Sequence, residues 1–217
     1  MTDTESLVFV VDDDAQVRRS LVNLLRSVSM AVEALASTEE FLSYPRPNIP
    51  SCLVLDIRFP GTRQSGLDFH RQLTREGIKI PVVFVTGHGD VPMSACAMKS
   101  GAVDFLLKPV RERKLLEAIR IGLEKDRRRL DREQAMQALN AKFELLTPRE
   151  RDVLGLLMLG LMNKQIAAEL NLSEVMVKVH RGHIMHKMQA KTLVDLVRMS
   201  DAIQIAGLAP ATMDSGV

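Results

Sequence analysis

Several short apolar runs in the first half of the chain end in residues that could handle a phosphoryl group. The residues that follow these runs are Asp12, Asp13, Asp14, Asp56, Thr86 and Lys108. The runs themselves cover residues 7–11, 52–55, 82–85 and 103–107. Carboxylates bind hard cations and can attack phosphorus, whereas hydroxyl and ammonium groups bind phosphoryl oxygens. If the runs are parallel strands, these side chains share the carboxyl edge of one sheet, where open α/β sheets bind ligands.

Asp56 is the predicted nucleophile because it stands alone at the end of its run. A carboxylate can form an acyl phosphate if a divalent cation offsets the repulsion between two anions. Asp12 and Asp13 supply oxygen ligands for Mg2+, which accepts one or two carboxylates and keeps several waters. Lys108 can pair with the added phosphoryl group, and the hydroxyl of Thr86 can donate to it. Singly, these residues could instead be helix caps, a turn residue and a surface lysine, but their recurrence at four run ends favours a shared site.

The elements that must position these residues alternate between strand-like and helix-like segments up to about Ile121. This alternation predicts five strands and five helices in a parallel α/β sheet. Asp14 is the expected N-cap of the first helix, and Gly77 and Gly101 follow the third and fourth helices. The pattern turns helical from Arg111 to about residue 139, and the charged stretch 124–133 predicts that this helix continues into a solvated connector.

The last third of the chain predicts helices only. Thr147 and Glu150 form a capping box at the start of the first helix. Ser173 is the expected cap of a third helix, 175–188, and Thr192 of a fourth. A short helix, a tight turn and a longer basic helix indicate a helix-turn-helix. We therefore predict three parts: an α/β domain at 1–122, a helical linker at 123–146 and an all-α four-helix domain at 147–217.

Composition is that of a folded protein, with 46% apolar and 26% charged residues among 217. No apolar run approaches the length of a membrane span and no leader is visible, so a cytoplasmic location without membrane contact is expected. Cys52 and Cys96 have no nearby cysteine partner and are expected to be buried small residues. The net charge is only +2, but residues 173–191 carry four Lys and Arg against one Glu. A local basic helix of this kind indicates nucleic-acid binding.

The basic helix would need a buried face and a face that reaches DNA. We predict that Val175, Val179, Ile184 and Met188 form the buried face. Lys178 and Arg181 lie three positions apart and are expected to project on neighbouring parts of the exposed surface. Lys164 and Lys191 suit backbone phosphates. A merely solvated basic helix is the plainer alternative. A zinc site at His180, His183 and His186 is disfavoured because no carboxylate or cysteine accompanies them in the sequence.

The residues of the first half closely resemble the receiver domain of two-component response regulators. The quoted motifs are Asp12-Asp13, Asp56, Pro60-Gly61, Thr86-Gly87 and Phe105-Leu106-Leu107-Lys108-Pro109, and residues 86–93 resemble the FixJ-type branch. This resemblance covers about residues 6–122 and implies a flavodoxin-like fold. It implies that Asp56 is the phosphoacceptor, that Asp12, Asp13 and the carbonyl of Arg58 hold Mg2+ with it, and that Thr86 and Phe105 form a switch pair. Thr62-Arg63-Gln64 departs from the family, which usually has one residue there.

Residues 160–167 and 177–180 resemble the four-helix DNA-binding domain of the LuxR/NarL type, over about residues 145–205. The resemblance implies that Lys178 and Val179 approach bases, that Asn163 belongs to the DNA-binding surface, and that the last helix forms a dimer contact. Met176 and Gly182 depart from the usual pattern, so the target sequence does not carry over.

Together these features predict a phosphorylation-switched transcription factor rather than an enzyme. Its expected partners are a sensor histidine kinase, double-stranded promoter DNA and, on phosphorylation, a second copy of itself; RNA polymerase is a further candidate. The resemblance to the FixJ type implies that dimerisation relieves inhibition by the receiver. One alternative is a haloacid-dehalogenase-like phosphohydrolase with Asp12 as nucleophile, although Gln16 stands where that pattern needs Thr or Val. Another is an output domain that binds protein and no DNA.

Overall fold

The computed structural model describes residues 6–59, 65–87 and 91–203. The chain divides into two compact units between Asp131 and Arg132, the N-terminal and C-terminal units. The predicted loop departure at Thr62-Arg63-Gln64, the motif Pro60-Gly61 and residues 88–90 and 204–217 lie outside the described residues. The predicted division at 122 and 146 stays a prediction.

The N-terminal unit contains a five-stranded parallel sheet of order β2-β1-β3-β4-β5 in its described part. The strands are β1 (Leu7–Val11), β2 (Ala31–Leu35), β3 (Ser51–Asp56), β4 (Val82–Thr86) and β5 (Asp104–Leu107). Its helices are α1 (Ala15–Ser27), α2 (Thr38–Ser43), α3 (Gly66–Arg75) and α4 (Val91–Lys99). A fifth helix, α5 (Glu112–Glu144), begins in this unit and continues past Asp131. The predicted parallel α/β fold is therefore confirmed.

The strands form where they do because alternate residues enter two cores, one on each face of the sheet. Phe9, Leu53 and Phe84 belong to one core, in which Phe41 and Phe69 also pack. The opposite core is made of smaller residues and includes Val8, Val10, Cys52, Val54 and Val83. Since both faces are covered, the central strands are almost continuously apolar, as in buried parallel sheets.

The predicted cap residues are found at the ends of α1, α3 and α4, whereas the end of α5 differs from the prediction. Asp14 is the N-cap of α1 and accepts hydrogen bonds from the backbone N–H groups of Gln16 and Val17. Gly77 and Gly101 have φ values of 74° and 90°, a region where a Cβ is unfavourable. Helix α5 is longer than predicted and ends at Glu144 rather than near residue 139.

One acidic residue of the charged stretch in α5 points inward. The carboxylate of Asp126 is buried, accepts a hydrogen bond of 2.9 Å from the backbone N–H of Ser51, and pairs with Arg129 at 2.7 Å. These bonds fix α5 to the start of β3. One turn earlier, Gly122 packs so closely on Cys52 that an added Cβ would lie 2.6 Å from the sulfur.

The C-terminal unit contains α6 (Pro148–Met158), α7 (Asn163–Glu169), α8 (Glu174–Met188) and α9 (Leu193–Ile203). No strand occurs between residues 132 and 203, as predicted. Thr147 and Glu150 form the predicted capping box, and Ser173 caps α8. The core of this unit includes Leu154, Ile166, Val177, Ile184 and Met188. Within the described ranges, no helix is long and apolar enough to cross a membrane.

Candidate functional site

The strand ends bring an acidic pocket together at the carboxyl edge of the sheet. Val11 pairs in register with Leu55, and Asp56 with Val85, so Asp12 and Asp56 leave neighbouring strands at the same level. Asp12, Asp13 and Asp56 each place one carboxylate oxygen within 4.8 Å of the others. Asp12 and Asp56 are buried, whereas Asp13 is exposed and open to water.

Lys108 completes this pocket from the end of β5, the edge strand. The backbone N–H of Lys108 donates to the carbonyl of Thr86 at 2.8 Å, and the peptide bond to Pro109 is cis. Its ammonium Nζ lies 2.6 Å from Oδ2 of Asp12 and 2.7 Å from Oδ2 of Asp56. Lys108 is therefore a bridge between two carboxylates and not an isolated surface lysine.

Burial and charge oppose one another in this pocket. Burial raises the pKa of Asp12 even though Lys108 and the backbone N–H of Asp14 bind its charged form. Burial lowers the pKa of Lys108, but its hydrogen bonds to Asp12 and Asp56 outweigh that effect and the net shift is upward. Two buried acids with one ammonium between them carry excess negative charge, which favours a further cation.

The donor set suits a hard divalent cation. Three carboxylates converge, and the exposure of Asp13 leaves room for the water ligands that Mg2+ retains. The backbone N–H of Arg58 donates to Oδ1 of Asp56 at 3.2 Å, which holds the loop after β3 beside the pocket. The pocket therefore fits a magnesium ion held by oxygen ligands.

Thr86 and Phe105, the predicted switch pair, lie on neighbouring strands at this edge. Thr86 is fully buried at the end of β4. Phe105 pairs in register with Phe84, and its half-buried ring packs against the core on that face. The two residues thus lie on the two strands whose ends meet beside Lys108.

Two residues beside the pocket were not predicted to have structural roles there. The guanidinium of Arg18 donates to the carbonyl of Asp12 at 2.6 Å and fixes the turn after β1. Gly66 begins α3 so close to β3 that an added Cβ would clash with the carbonyl oxygen of Asp56. The signal for Gly66 was its place at a helix start after an acidic strand end; Arg18 carried no distinguishing signal.

The predicted DNA-binding residues lie around α7 and α8. Lys164, Lys178 and Lys191 are exposed, and Val179 is 41% exposed. Arg181, in contrast, is half-buried, and its guanidinium donates to Oδ1 of Asn163 at 2.5 Å. Arg181 thus links α8 to the start of α7, and its predicted role in DNA binding stays a prediction.

The predicted buried face of α8 needs correction. Ile184 and Met188 are buried as expected, but Val175 and Val179 are exposed and Val177 is buried in their place. Apolar residues occupy positions 175, 177 and 179, so the sequence alone does not define which side of the helix faces the core. The exposed valines are available to contact a partner.

The statement that no carboxylate accompanies the histidines of α8 is also wrong. Glu150, on α6, places a carboxylate oxygen within 4.8 Å of a ring nitrogen of both His180 and His183. The packing of α6 on α8 creates this proximity between residues that are 30 positions apart. His186 is not part of the group.

Comparison with protein families accounts for both units. Residues 8–120 match the model of the response regulator receiver domain, and residues 144–200 match that of bacterial regulatory proteins of the luxR family. The chain belongs to the response regulators. Neither match supports the phosphohydrolase alternative.

Relatives match this chain over most of its length, across both units. Nodulation protein W of Bradyrhizobium diazoefficiens is 51% identical over 203 residues, 94% of this chain and 88% of that protein. The transcriptional regulatory protein FixJ of Azorhizobium caulinodans is 42% identical over 208 residues, 95% of this chain and 96% of that protein. The solved structure of the response regulator StyR matches with a TM-score of 0.82 at 47% identity, covering 91% of this chain and 99% of that one. This response regulator therefore joins a receiver domain to a LuxR-type DNA-binding domain.

Proposed function

We propose that this response regulator receives a phosphoryl group on Asp56 from a sensor histidine kinase and thereby controls promoter binding by its C-terminal unit. The observation that supports the proposal most strongly is the pocket around Asp56, where two further carboxylates and the ammonium of Lys108 converge. The match to the receiver family and the names of relatives such as FixJ, a transcriptional regulatory protein, support the same function.

In the proposed reaction, a carboxylate oxygen of Asp56 attacks the phosphorus of a kinase phosphohistidine. The P–N bond breaks, the imidazole leaves with its electron pair, and an acyl phosphate forms on Asp56. Mg2+ held by Asp12, Asp13, Asp56 and the carbonyl of Arg58 would supply charge neutralisation. Since its Nζ is already 2.7 Å from Asp56, Lys108 needs only a short movement to bind a phosphoryl oxygen.

The added phosphoryl group would act on the switch pair next. Thr86 moves toward the pocket and donates its hydroxyl hydrogen to a phosphoryl oxygen. Phe105 then turns inward into the space that Thr86 leaves. Because Phe105 lies in β5, its movement repacks the surface that β5 shares with α4, where Met98 and Leu107 are exposed. This surface is the proposed homodimer contact of the phosphorylated protein.

In the C-terminal unit, α8 is the proposed recognition helix. Lys178 and the exposed Val179 would contact bases, while Lys164 and Lys191 would bind phosphates. The hydrogen bond between Arg181 and Asn163 would orient α7 against α8. In the complex with DNA, the side chain of Arg181 or that of Asn163 would rotate to contact the DNA. RNA polymerase is the proposed further partner at an activated promoter. The cytoplasmic location stays a prediction.

Labelling with a radioactive small-molecule acyl phosphate in the presence of Mg2+ tests the phosphoacceptor. The wild type should gain an acid-stable, base-labile label that Asp56→Asn lacks. Asp14→Asn is the matched control, since Asp14 caps α1 at the same edge and should leave labelling intact. Label on Asp12, or turnover of phosphomonoesters, would reject the proposal in favour of the phosphohydrolase.

A further inference from the structure

A second cluster of metal-ligating side chains lies in the C-terminal unit, apart from the acidic pocket. Glu150 stands in the first turn of α6, whereas His180 and His183 stand on α8. One donor atom from each residue lies within 4.8 Å of the other two. Two histidines three positions apart share one face of a helix, so the pair can bind a single ion without bending α8.

The carboxylate of Glu150 is held in place by its own helix. Glu150 is 2% exposed, and its Oε2 accepts hydrogen bonds from the backbone N–H of Thr147 at 2.8 Å and from Nζ of Lys187 at 2.7 Å. Its other oxygen, Oε1, lies 3.5 Å from Nδ1 of His183. One oxygen is thus fixed by the capping box and by Lys187, while the other faces a histidine nitrogen.

His180 provides an independent observation. Its Nδ1 atom is shielded from water and makes no hydrogen bond to any described residue. A buried nitrogen without a partner is destabilising, and most buried polar atoms in folded proteins have one. A metal ion bound at Nδ1 would give this atom the partner that the described residues do not provide.

We propose that Glu150, His180 and His183 form a binding site for Zn2+ or a similar borderline divalent cation. Two imidazole nitrogens and one carboxylate oxygen form a donor set typical of zinc, with the fourth position left to water. The acidic pocket of the receiver offers oxygen ligands and suits Mg2+ instead. The ammonium of Lys187 lies 2.7 Å from Glu150 and repels a bound cation. We therefore expect weaker metal binding than at a site without a neighbouring positive charge.

The ion would join α6 to the proposed recognition helix. Since it binds the folded C-terminal unit and requires residues from both helices, it would stabilise the packing of α8. The position of Lys178 and Val179 would then depend on metal occupancy, which gives the DNA-binding unit a metal-sensitive component independent of Asp56.

Zinc binding to the full chain tests this site. Zn2+ is titrated against a chromophoric chelator with Mg2+ in large excess, so that Mg2+ occupies the acidic pocket. His183→Gln and His180→Gln should each weaken binding about tenfold or more, the scale on which even supporting residues of metal sites matter. His183 has a side chain that is 61% exposed, so its replacement leaves the fold intact, as circular dichroism would verify.

His186→Gln is the matched control, because it removes a histidine of the same helix that is outside the cluster. It should bind Zn2+ as the wild type does. Equal loss in His183→Gln and His186→Gln, or unchanged binding in His183→Gln, would overturn the proposal. Co2+ in place of Zn2+ tests whether cysteine is a ligand. Because burial raises the pKa of the Cys52 thiol to about 12, the Co2+ form should show no thiolate charge-transfer band. Such a band would assign metal binding to cysteine. None of these outcomes depends on phosphorylation of Asp56.

Discussion

Replacement of Lys108 by Met tests whether the ammonium holds the acidic pocket together. Lys108 bridges Asp12 and Asp56 at 2.6 and 2.7 Å, and both carboxylates are buried. Methionine keeps most of the length of the side chain but removes the charge and all three donors. The two acids then face each other without a counter-charge.

The magnitude follows from the burial of the three groups. Removing one partner of a fully buried ion pair costs about 3–5 kcal/mol, since a buried charge is left without compensation. The side chain of Lys108 is 23% exposed, and Asp13 opens the pocket to water. Because water screens the charges, we expect a smaller loss of stability, about 2 kcal/mol. For a unit of this size, that loss corresponds to a Tm decrease of roughly 6–8 °C.

Intrinsic fluorescence of Tyr44 provides the assay. Tyr44 is the single tyrosine in a chain without tryptophan, and its ring lies 5.4 Å from that of Phe9 in the N-terminal core. Its signal therefore reports unfolding of the N-terminal unit. In chelator, Lys108→Met should unfold earlier than the wild type, while the control Lys114→Met, at an exposed position of α5, should not.

Addition of Mg2+ separates this explanation from a packing effect. A divalent cation can replace the missing ammonium, so Mg2+ should stabilise Lys108→Met more than it stabilises the wild type. A variant as stable as the wild type in chelator would refute the reasoning. So would a loss that Mg2+ does not reduce.

Three other outcomes follow from specific contacts. Gly122→Ala should destabilise the N-terminal unit because its Cβ would lie 2.6 Å from the sulfur of Cys52. In a Cys52→Ala background part of this loss of stability should disappear. The double-mutant cycle should give a coupling free energy of roughly 0.5–3 kcal/mol. Burial opposes ionisation of Glu150, but hydrogen bonds from Lys187 and the Thr147 backbone outweigh it and place its pKa below the ordinary 4.5. The resulting stability is present above pH 4.5 and is lost as the pH falls through the lower folded pKa. Acid titrations followed by far-UV circular dichroism should show less of this loss in Lys187→Met than in the wild type. Identical unfolding of the two proteins at acid pH would contradict the assignment. Lys178→Ala should weaken promoter binding and reduce the slope of log K against log salt by about one, and an unchanged slope would remove Lys178 from the interface.

The site in the receiver could be predicted because parallel strands share a direction. Once the apolar runs are strands, Asp12, Asp56 and Lys108 must lie at one edge, whatever the details of the loops between them. The sequence could not predict that Lys108 reaches two carboxylates at once. That contact depends on the strand order, which places β3 between β1 and β4 and β5 at the edge.

The C-terminal unit was less predictable at the level of single residues. Its capping box and turn were visible because they are local, whereas the contacts of Arg181 with Asn163 and of Glu150 with His183 join different helices. Helix packing is set by which face is buried, and α8 has apolar residues on more than one side. That ambiguity explains the wrong assignment of Val179 to the core.

The central claim is that a phosphoryl group on Asp56 controls DNA binding. Its most direct test is selection of genomic fragments bound by the full chain, with and without a small-molecule acyl phosphate, in the wild type and in Asp56→Asn. We predict that the donor enriches specific fragments with the wild type and changes nothing with Asp56→Asn. Equal enrichment by both proteins, or none by the phosphorylated wild type, would contradict the claim.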